Sequence, residues 1–335
     1  MNNDNNGIVI SCRARLARNY DGYVFPSRLD DEGGKAVLKK TEDALANSGE
    51  NFGTVKRADM SDLQAETLKE LHLISDELLR GNKNAAVIVN KNNEICIMVN
   101  EEDHLREQCI LKGNRLAEAY SRISAIDDVI ASQNKIAFDK RLGYLTACPT
   151  NVGTGLRASA LMFLPGLSMT NSLADCVNAV SRFDMTVRGE YGEGSDSEGF
   201  LYQISNQKTL GISEEEIISS VSGAVAQIEK QEIVARNALL QSNEALLRDN
   251  IMRSYGILTN AYKLSFKEFT EKFAMVKLGV YYGFIKCTDT EALGNMLDKY
   301  RPANMMTSAG KIMNENERDI YRAAGVAAEL RKLTA

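Results

Sequence analysis

Residues 8–15 alternate apolar and polar side chains, the period of a half-buried strand, and that period sets Arg13 and Arg15 on one face. From about residue 30 to 80 the spacing turns helical, with Ser61 and Asp62 opening an amphipathic run that ends near Leu79. Residues 86–89 and 95–99 are β-rich runs on either side of Asn90-Lys91-Asn92-Asn93, which predicts a hairpin. A helix is predicted over 105–131, and short strands over 143–146, 184–188 and 200–205. After Gly211 the pattern changes. Ser213 and Glu216 form a capping box ahead of Ile217, Val221, Val225 and Ile228 at helical spacing, and similar boxes recur at Ser265/Glu268, Thr288/Glu291 and Asn314/Glu317. The predicted fold class is α+β: a mainly antiparallel sheet flanked by helices over 1–240, then a helical unit over 241–335.

Composition narrows the class without naming a chemistry. The chain has 335 residues, 44% hydrophobic and 25% charged, enough for a full core divided between two domains. A formal net charge of -5 gives no general attraction to nucleic acid. No apolar run approaches the roughly 18–20 residues that span a bilayer, and the first residues lack the basic flank and apolar core of a signal peptide. Cysteines 12, 96, 109, 148, 176 and 287 form no CxxC pair and sit mostly in apolar surroundings, which favours a reducing cytoplasm over a disulfide framework or zinc knuckle.

Local chemistry is concentrated in the string from Cys148 to Ser159, Cys-Pro-Thr-Asn-Val-Gly-Thr-Gly-Leu-Arg-Ala-Ser. Gly153 and Gly155 let backbone amides approach an anion closely, and Arg157 offers a planar fork for phosphate oxygens. The plain structural alternative is a Gly-Thr turn leading into an apolar helix. There is no GxxxxGK[ST] loop and no HRD or DFG motif, so nucleotide binding would have to rest on arginines. Candidates are Arg13 and Arg15 within Ser11–Asn19, Arg106 within Asn100–Arg106, and Arg188 within Val187–Gly194. On a helix Glu102 and Arg106 would share a face, as an ordinary exposed acidic helix start also would. Arg188 and Glu193 occupy a glycine-rich segment that in isolation reads as a solvated loop.

Taken together and in order, these four segments closely resemble the motifs of the guanidino (phosphagen) kinases, the ATP:guanido phosphotransferases, and the resemblance covers nearly the whole chain. Such enzymes face a definite problem. A guanidinium has a pKa above roughly 12 and is a poor nucleophile as the cation. A nitrogen must shed a proton while attacking phosphorus, and the transferring phosphoryl needs dense cationic stabilisation plus magnesium. The resemblance implies that Glu102 and Glu193 clamp the guanidinium, with Glu102 as base, and that Cys148 sits beside the acceptor nitrogen, its thiolate favoured by nearby arginines. It implies a nucleotide site from Ser11, Cys12, Arg13, Ala14, Arg15, His72, Arg106, Arg157, Ala158, Ser159, Ala160, Leu161, Arg188, Gly189, Glu190, Tyr191, Gly192 and Glu193. Magnesium would arrive with ATP, held mainly by its phosphates. His72 also reads as an ordinary structural histidine on an amphipathic helix.

One branch fits better. Metazoan creatine and arginine kinases carry a helical domain ahead of the sheet, whereas here the Ser-x-Arg-x-Arg strand begins at residue 11. The 188–195 segment and helical C-terminus are similar to the bacterial protein-arginine kinases, as is Glu317-Arg-Asp-Ile-Tyr-Arg-Ala323. The last match implies a regulatory phosphoarginine pocket at Arg318, Asp319, Arg322 and Ala323, against the alternative of an exposed helix start with ordinary ion pairs. Gly325-Val-Ala-Ala then departs from the arginines common in that branch, as do Cys12 from a serine and Ser195–Gly199 from the usual loop. The resemblance implies a cytoplasmic homodimer, protein substrates with exposed arginine such as a heat-shock repressor, a zinc-binding activator protein, and a Clp-type unfoldase that receives marked proteins. The rivals are a small-molecule guanidino kinase and a non-catalytic phosphoarginine-binding regulator.

Overall fold

The computed structural model describes residues 7–80, 84–189 and 197–334. In chain order these form β1 (Val9–Arg18), α1 (Asp31–Leu45), β2 (Phe52–Lys56), α2 (Asp62–Glu70), α3 (Asp76–Arg80), β3 (Ala86–Asn90), β4 (Ile95–Val99), β5 (Leu105–Lys112) and α4 (Leu116–Gln133). Next come β6 (Phe138–Asp139), β7 (Gly143–Tyr144), β8 (Leu156–Phe163), α5 (Pro165–Met169), α6 (Leu173–Ser181), β9 (Met185–Gly189) and β10 (Leu201–Asn206). The remainder is helical: α7 (Glu214–Asn260), α8 (Phe266–Tyr281), α9 (Thr290–Lys299), α10 (Pro302–Ala309) and α11 (Glu315–Leu333).

Eight strands form one antiparallel sheet in the order β2-β3-β4-β5-β1-β8-β10-β9, so the α+β expectation holds. Alternation along the strands gives the sheet two faces. On one, Cys12, Ala14, Leu16, Cys109, Leu111, Ala158, Ala160 and Met162 pack beneath α1, α4 and α7 in the main core. The opposite face is covered at one side, where the segment from Met60 through α3 lays Met60, Leu73, Ile74 and Leu78 on Val87, Cys96 and Met98. At the other side α8 brings Ala274 against Phe163 and Leu201. A polar trough remains between these covers.

Several predicted elements change. Residues 105–112 form a strand, not the start of a helix: Leu105, Glu107, Cys109 and Leu111 alternate into the core, and the helix begins only after Gly113. The run from Ser61 has its capping box with Gln64, but it stops at Glu70 and turns through His72, whose φ is 58°, before α3. The apolar stretch after Gly155 is strand β8, not a helix, and the 143–146 strand shrinks to the two residues of β7. At the predicted Thr288/Glu291 box the cap is Asp289, which accepts from the Ala292 amide at 2.9 Å, while the Thr288 hydroxyl donates to the Leu333 carbonyl at 3.1 Å.

The long helix α7 joins the two halves of the chain. It is interrupted at Asn243 (φ -162°, ψ 77°), whose side chain accepts from the Leu246 amide at 3.0 Å and so restarts the helix as a cap. The predicted division at 240/241 falls just before that interruption. A second core, including Leu258, Phe269, Phe273, Met296, Val326 and Leu330, unites α7 to α11. Those helices return to the sheet through Glu70 at the end of α2, whose two carboxylate oxygens accept from the Ala303 and Asn304 amides, both at 2.8 Å, at the start of α10.

Candidate active site

Register decides which side chains meet. Arg15 on β1 lies opposite Arg157 on β8 and Gln108 on β5, Arg13 lies opposite Ser159, and Ala17 lies opposite Arg106. Paired residues share a face, so Arg13, Arg15, Arg106 and Arg157 all line the polar trough. Gln203 on β10 extends the same face to Arg188 on β9. Five arginines separated by up to 175 positions in sequence thus come from four adjacent or near-adjacent strands.

The cost of this assembly is visible in their titration. Burial, then Arg106, Arg13 and Arg157, push the Arg15 guanidinium well below its ordinary range. Burial, then Arg188 and Arg106, lower Arg157, which also donates to the Ser205 hydroxyl at 3.0 Å. A polyanion in the trough would relieve that repulsion. Arg106 Nε and the Gln108 side-chain oxygen Oε1 are buried there without a hydrogen-bond partner, while Arg106 Nη1 is paired with Glu101. Ser11, Arg13, His72, Ser159, Leu161 and Gln203 line a small cavity of about 80 Å³ at one end.

His72 enters the trough from the α2–α3 connection. Its carbonyl accepts from the Gln108 side chain at 2.7 Å. Burial, helped by Arg301 and Arg13, pushes its imidazole down to about 3, so the ring is neutral at physiological pH. Cys12, Ala14, Ala158 and Ala160, by contrast, alternate onto the opposite face. Their side chains lie in the apolar core, where burial pushes the Cys12 thiol up to about 11, and they cannot reach a ligand in the trough.

Glu102 lies in the β4–β5 turn, not on a helix with Arg106 as the spacing suggested. Its neighbours have separate tasks. Glu101 is buried, accepts from the Ser75 hydroxyl and Arg106, and holds the Glu102 amide at 2.9 Å. Asp103 is buried and accepts from the Asn19 amide group and from the Ala147 backbone N–H, both at 2.6 Å. Glu102 alone is left exposed, and partial burial beside Asp103 and Glu101 raises its pKa.

The Asp103–Ala147 bond fastens the Glu102 turn to the segment carrying Cys148. That thiol is half-buried, 3.0 Å from the Thr150 hydroxyl. Beyond it, Gly153 and Gly155 have positive φ, and a Cβ at either would strike backbone: a Cβ at Gly153 would fall 2.1 Å from the Thr209 carbonyl oxygen, and one at Gly155 2.7 Å from that of Ala17. The glycines therefore serve close protein–protein approach, and the Thr154 amide between them already donates to Thr209. They do not form the open anion cradle suggested by the string alone. Glu190, Tyr191, Gly192 and Glu193 lie outside the described residues, next to Gly189 at the end of β9.

The C-terminal cluster lies on α11, outside the sheet. Arg322 is 1% exposed; it donates to the Tyr300 carbonyl at 3.0 Å, the Leu264 carbonyl at 2.9 Å and Asp319 at 2.9 Å, and burial lowers its pKa despite that carboxylate. Asp319 and Ala323 are buried too, and Arg318, half-buried, donates to the Met313 carbonyl at 3.3 Å. The exposed helix start with surface ion pairs is thereby excluded.

Sequence reading missed Glu101, Ser75, Asp103, Asn19 and Ser205. The Glu-Glu-Asp run at 101–103 was in view, but nothing local says which acid turns inward. Among the described residues no cluster of three or more His, Cys, Asp or Glu side chains could hold a metal. No helix among them is long and apolar enough to cross a membrane.

Comparison with known proteins places these features. Residues 36–235 match the family model of the ATP:guanido phosphotransferase C-terminal catalytic domain, and 244–335 match that of the protein-arginine kinase McsB C-terminal domain. The chain is 44% identical over 330 residues to a protein-arginine kinase of Clostridium acetobutylicum, covering 97% of each. It is 43% identical over 317 residues to one of Halothermothrix orenii, covering 94% of this chain and 91% of that protein. The crystal structure of a lombricine kinase superposes with a TM-score of 0.63 at 27% identity, covering 70% of this chain and 68% of the other.

Proposed function

This chain belongs to the ATP:guanido phosphotransferase family and is a protein-arginine kinase, and from that premise we propose how its own residues carry the transfer and what surrounds it in the cell. The observation that carries the reading is the single trough face: five arginines gathered by strand register beside a turn that presents Glu102. Arg13, Arg15, Arg106, Arg157 and Arg188 hold the nucleotide phosphates. Each guanidinium gives a planar fork of donors matched to phosphate oxygens. Magnesium bound to ATP would neutralise phosphate charge as the phosphoryl moves. His72, neutral and lodged by Arg13, borders the nucleotide.

Glu102 is the base. It accepts the proton that the attacking guanidinium nitrogen loses, and partial burial beside Asp103 and Glu101, which raises its pKa, strengthens it as a proton acceptor. Glu193 is the opposing carboxylate on the strength of its motif. Cys148 stands beside the acceptor because Asp103 ties its segment to the Glu102 turn. Acceptors are arginines exposed on proteins, a heat-shock repressor among them. A zinc-binding activator and a Clp-type unfoldase that degrades the marked proteins complete the setting, with the chain acting as a cytoplasmic homodimer. Arg318, Asp319 and Arg322 are the regulatory phosphoarginine site; a phosphoryl group arriving there must exchange with the Asp319 carboxylate now on Arg322.

The test incubates the pure protein with γ-labelled ATP, free arginine and a denatured protein. Label should enter the protein and leave it on brief acid treatment, as a phosphoramidate does. Label on free arginine alone would favour the small-molecule rival, acid-stable label would mean hydroxyl chemistry, and no label would leave a binding regulator.

A further inference from the structure

Two apolar outcrops stand at the end of the sheet that carries Glu102 and Cys148. The first is the turn after β1, where Val24 is 54% and Phe25 38% exposed. The second is the β6–β7 hairpin, where Phe138 is 58% and Leu142 48% exposed. Neither is a loose loop. The Val24 carbonyl accepts from His104 Nε2 at 2.9 Å, two residues beyond Glu102. The hairpin is tied to the Cys148 segment: Tyr144 donates its amide to the Gly153 carbonyl at 2.8 Å, and the Leu145 carbonyl accepts from Asn19 at 3.0 Å, the same side chain that binds Asp103. Phe138 packs edge-on against Tyr144 at 5.2 Å, and Tyr144 in turn lies over Arg18 at 3.5 Å.

The outcrops are also fastened to each other. The Asp21 amide donates to the Lys135 carbonyl at 2.9 Å, their side chains pair at 2.6 Å, and the Ala137 amide donates to the Asn19 carbonyl at 2.7 Å. The result is one continuous, hydrogen-bonded rim that exposes four large apolar side chains next to a charged site. Lys140 and Arg141 are exposed at the hairpin tip. A rigid framework that holds apolar groups in water, contiguous with an acceptor site, is what a docking surface requires.

We propose that this rim binds the protein segment flanking the target arginine, taken as an extended chain whose apolar residues rest on Phe138, Leu142, Val24 and Phe25. This rests on the reading of Glu102 and Cys148 as the acceptor site. Reach sets the register. Tyr144 lies four residues from Cys148, so the base of the hairpin, where Phe138 pairs with Tyr144, stands within about 13 Å of the thiol segment at an extended rise of roughly 3.3 Å per residue. An extended substrate covers that span in about four residues, so the selected apolar positions lie within about four of the arginine. The cations at the tip favour an acidic residue further out and oppose another basic one. Burying one such side chain corresponds to roughly a tenfold to hundredfold gain in affinity.

The experiment compares two peptides with one arginine each, bearing Leu and Phe or Ser and Ser within four residues on either side. The wild type should favour the apolar peptide at least roughly tenfold in kcat/KM, through KM. Phe138→Ser with Leu142→Ser should lower the apolar peptide to the level of the serine peptide, leaving the serine peptide and ATP KM within about twofold. Val24→Ser with Phe25→Ser, which keeps the carbonyl bound by His104, should act in the same direction. Preference retained in both variants, or equal wild-type rates on the two peptides, overturns the docking rim and leaves the kinase reading intact. Loss of self-association with unchanged peptide kinetics makes this face a contact between copies and overturns it as well. A wild type that phosphorylates neither peptide removes the acceptor-site reading and the rim with it.

Discussion

Three consecutive acids, Glu101, Glu102 and Asp103, have three fates, and the difference lies entirely in what each side chain meets. Glu101 turns in to Arg106 and Ser75, Asp103 to Asn19 and Ala147, and Glu102 outward to solvent. Glu102→Gln should keep ATP binding while turnover falls roughly 10²–10⁴-fold. The base must be ionised to act, so it sets the acid limb of the kcat/KM profile, moved upward from that of an ordinary glutamate by partial burial beside Asp103 and Glu101. Measured against pH, that limb should be absent from the residual activity of the variant. His72 offers a stability readout. Its folded pKa of about 3 lies below the unfolded value near 6.5, so between those values the unfolded chain binds a proton that the folded chain refuses. The stability associated with neutral His72 is present above about pH 6.5 and declines by up to about 1.4 kcal/mol per unit as pH falls toward 3. Urea melts at pH 6.5 and 5 should show His72→Gln losing roughly 2 kcal/mol less than the wild type over that interval; an equal loss would mean that His72 titrates normally.

Among the elements, α7 and α11 show how caps and buried arginines shape the helical half. Asn243 ends one helical segment and caps the next, so Asn243→Ala should cost about 1 kcal/mol in thermal or urea denaturation, and Asn243→Asp much less. On α11, Arg322 crosslinks three elements through Tyr300, Leu264 and Asp319, and removing it would leave buried carbonyls and a carboxylate unpaired. Half-buried Arg318 is the safer probe of the proposed regulatory site. Titrating the Glu102→Gln protein with phosphoarginine should show at least roughly tenfold weaker binding when Arg318→Ala is added, the loss of one charge-assisted contact. Unchanged affinity would leave α11 with a structural role alone.

Across the whole molecule, the trough is a gap between two covers, and the covers hold each other. Glu70 clasps the start of α10, while the same α2–α3 connection sends His72 toward Arg13, and a cleft of about 510 Å³ lined in part by Glu70, His72, Phe266 and Arg301 separates the halves. Glu70→Ala leaves two helix-start amides without their carboxylate. It should cost roughly 1–3 kcal/mol, speed hydrogen exchange at Ala303 and Asn304, and raise the KM for ATP by loosening the seat of His72. Exchange at those amides indistinguishable from the wild type would show that the halves are held together elsewhere.

Periodicity alone was enough for β1, the β3–β4 hairpin and the capped starts of α2, α7, α8 and α11, because each is written in neighbouring residues. The arginines, Glu102 and Cys148 were legible as residue types in motifs, and the α+β class followed from strands giving way to helices. Residues 105–112 and 156–163 were not legible as strands: an apolar run supports either period, and pairing with β1 on both sides decided between them. Register likewise separated Arg13 and Arg15 from Cys12 and Ala14, since in a sheet one position along the chain is the opposite face. Which of three adjacent acids faces solvent, and whether Asp319 and Arg322 lie on a surface or in a core, depended on partners 5 to 84 positions away, such as Arg106, Asn19, Tyr300 and Leu264. Local sequence determines what a segment can become; burial and pairing between distant segments choose among those possibilities, because a desolvated charge must find its partner wherever the fold supplies one.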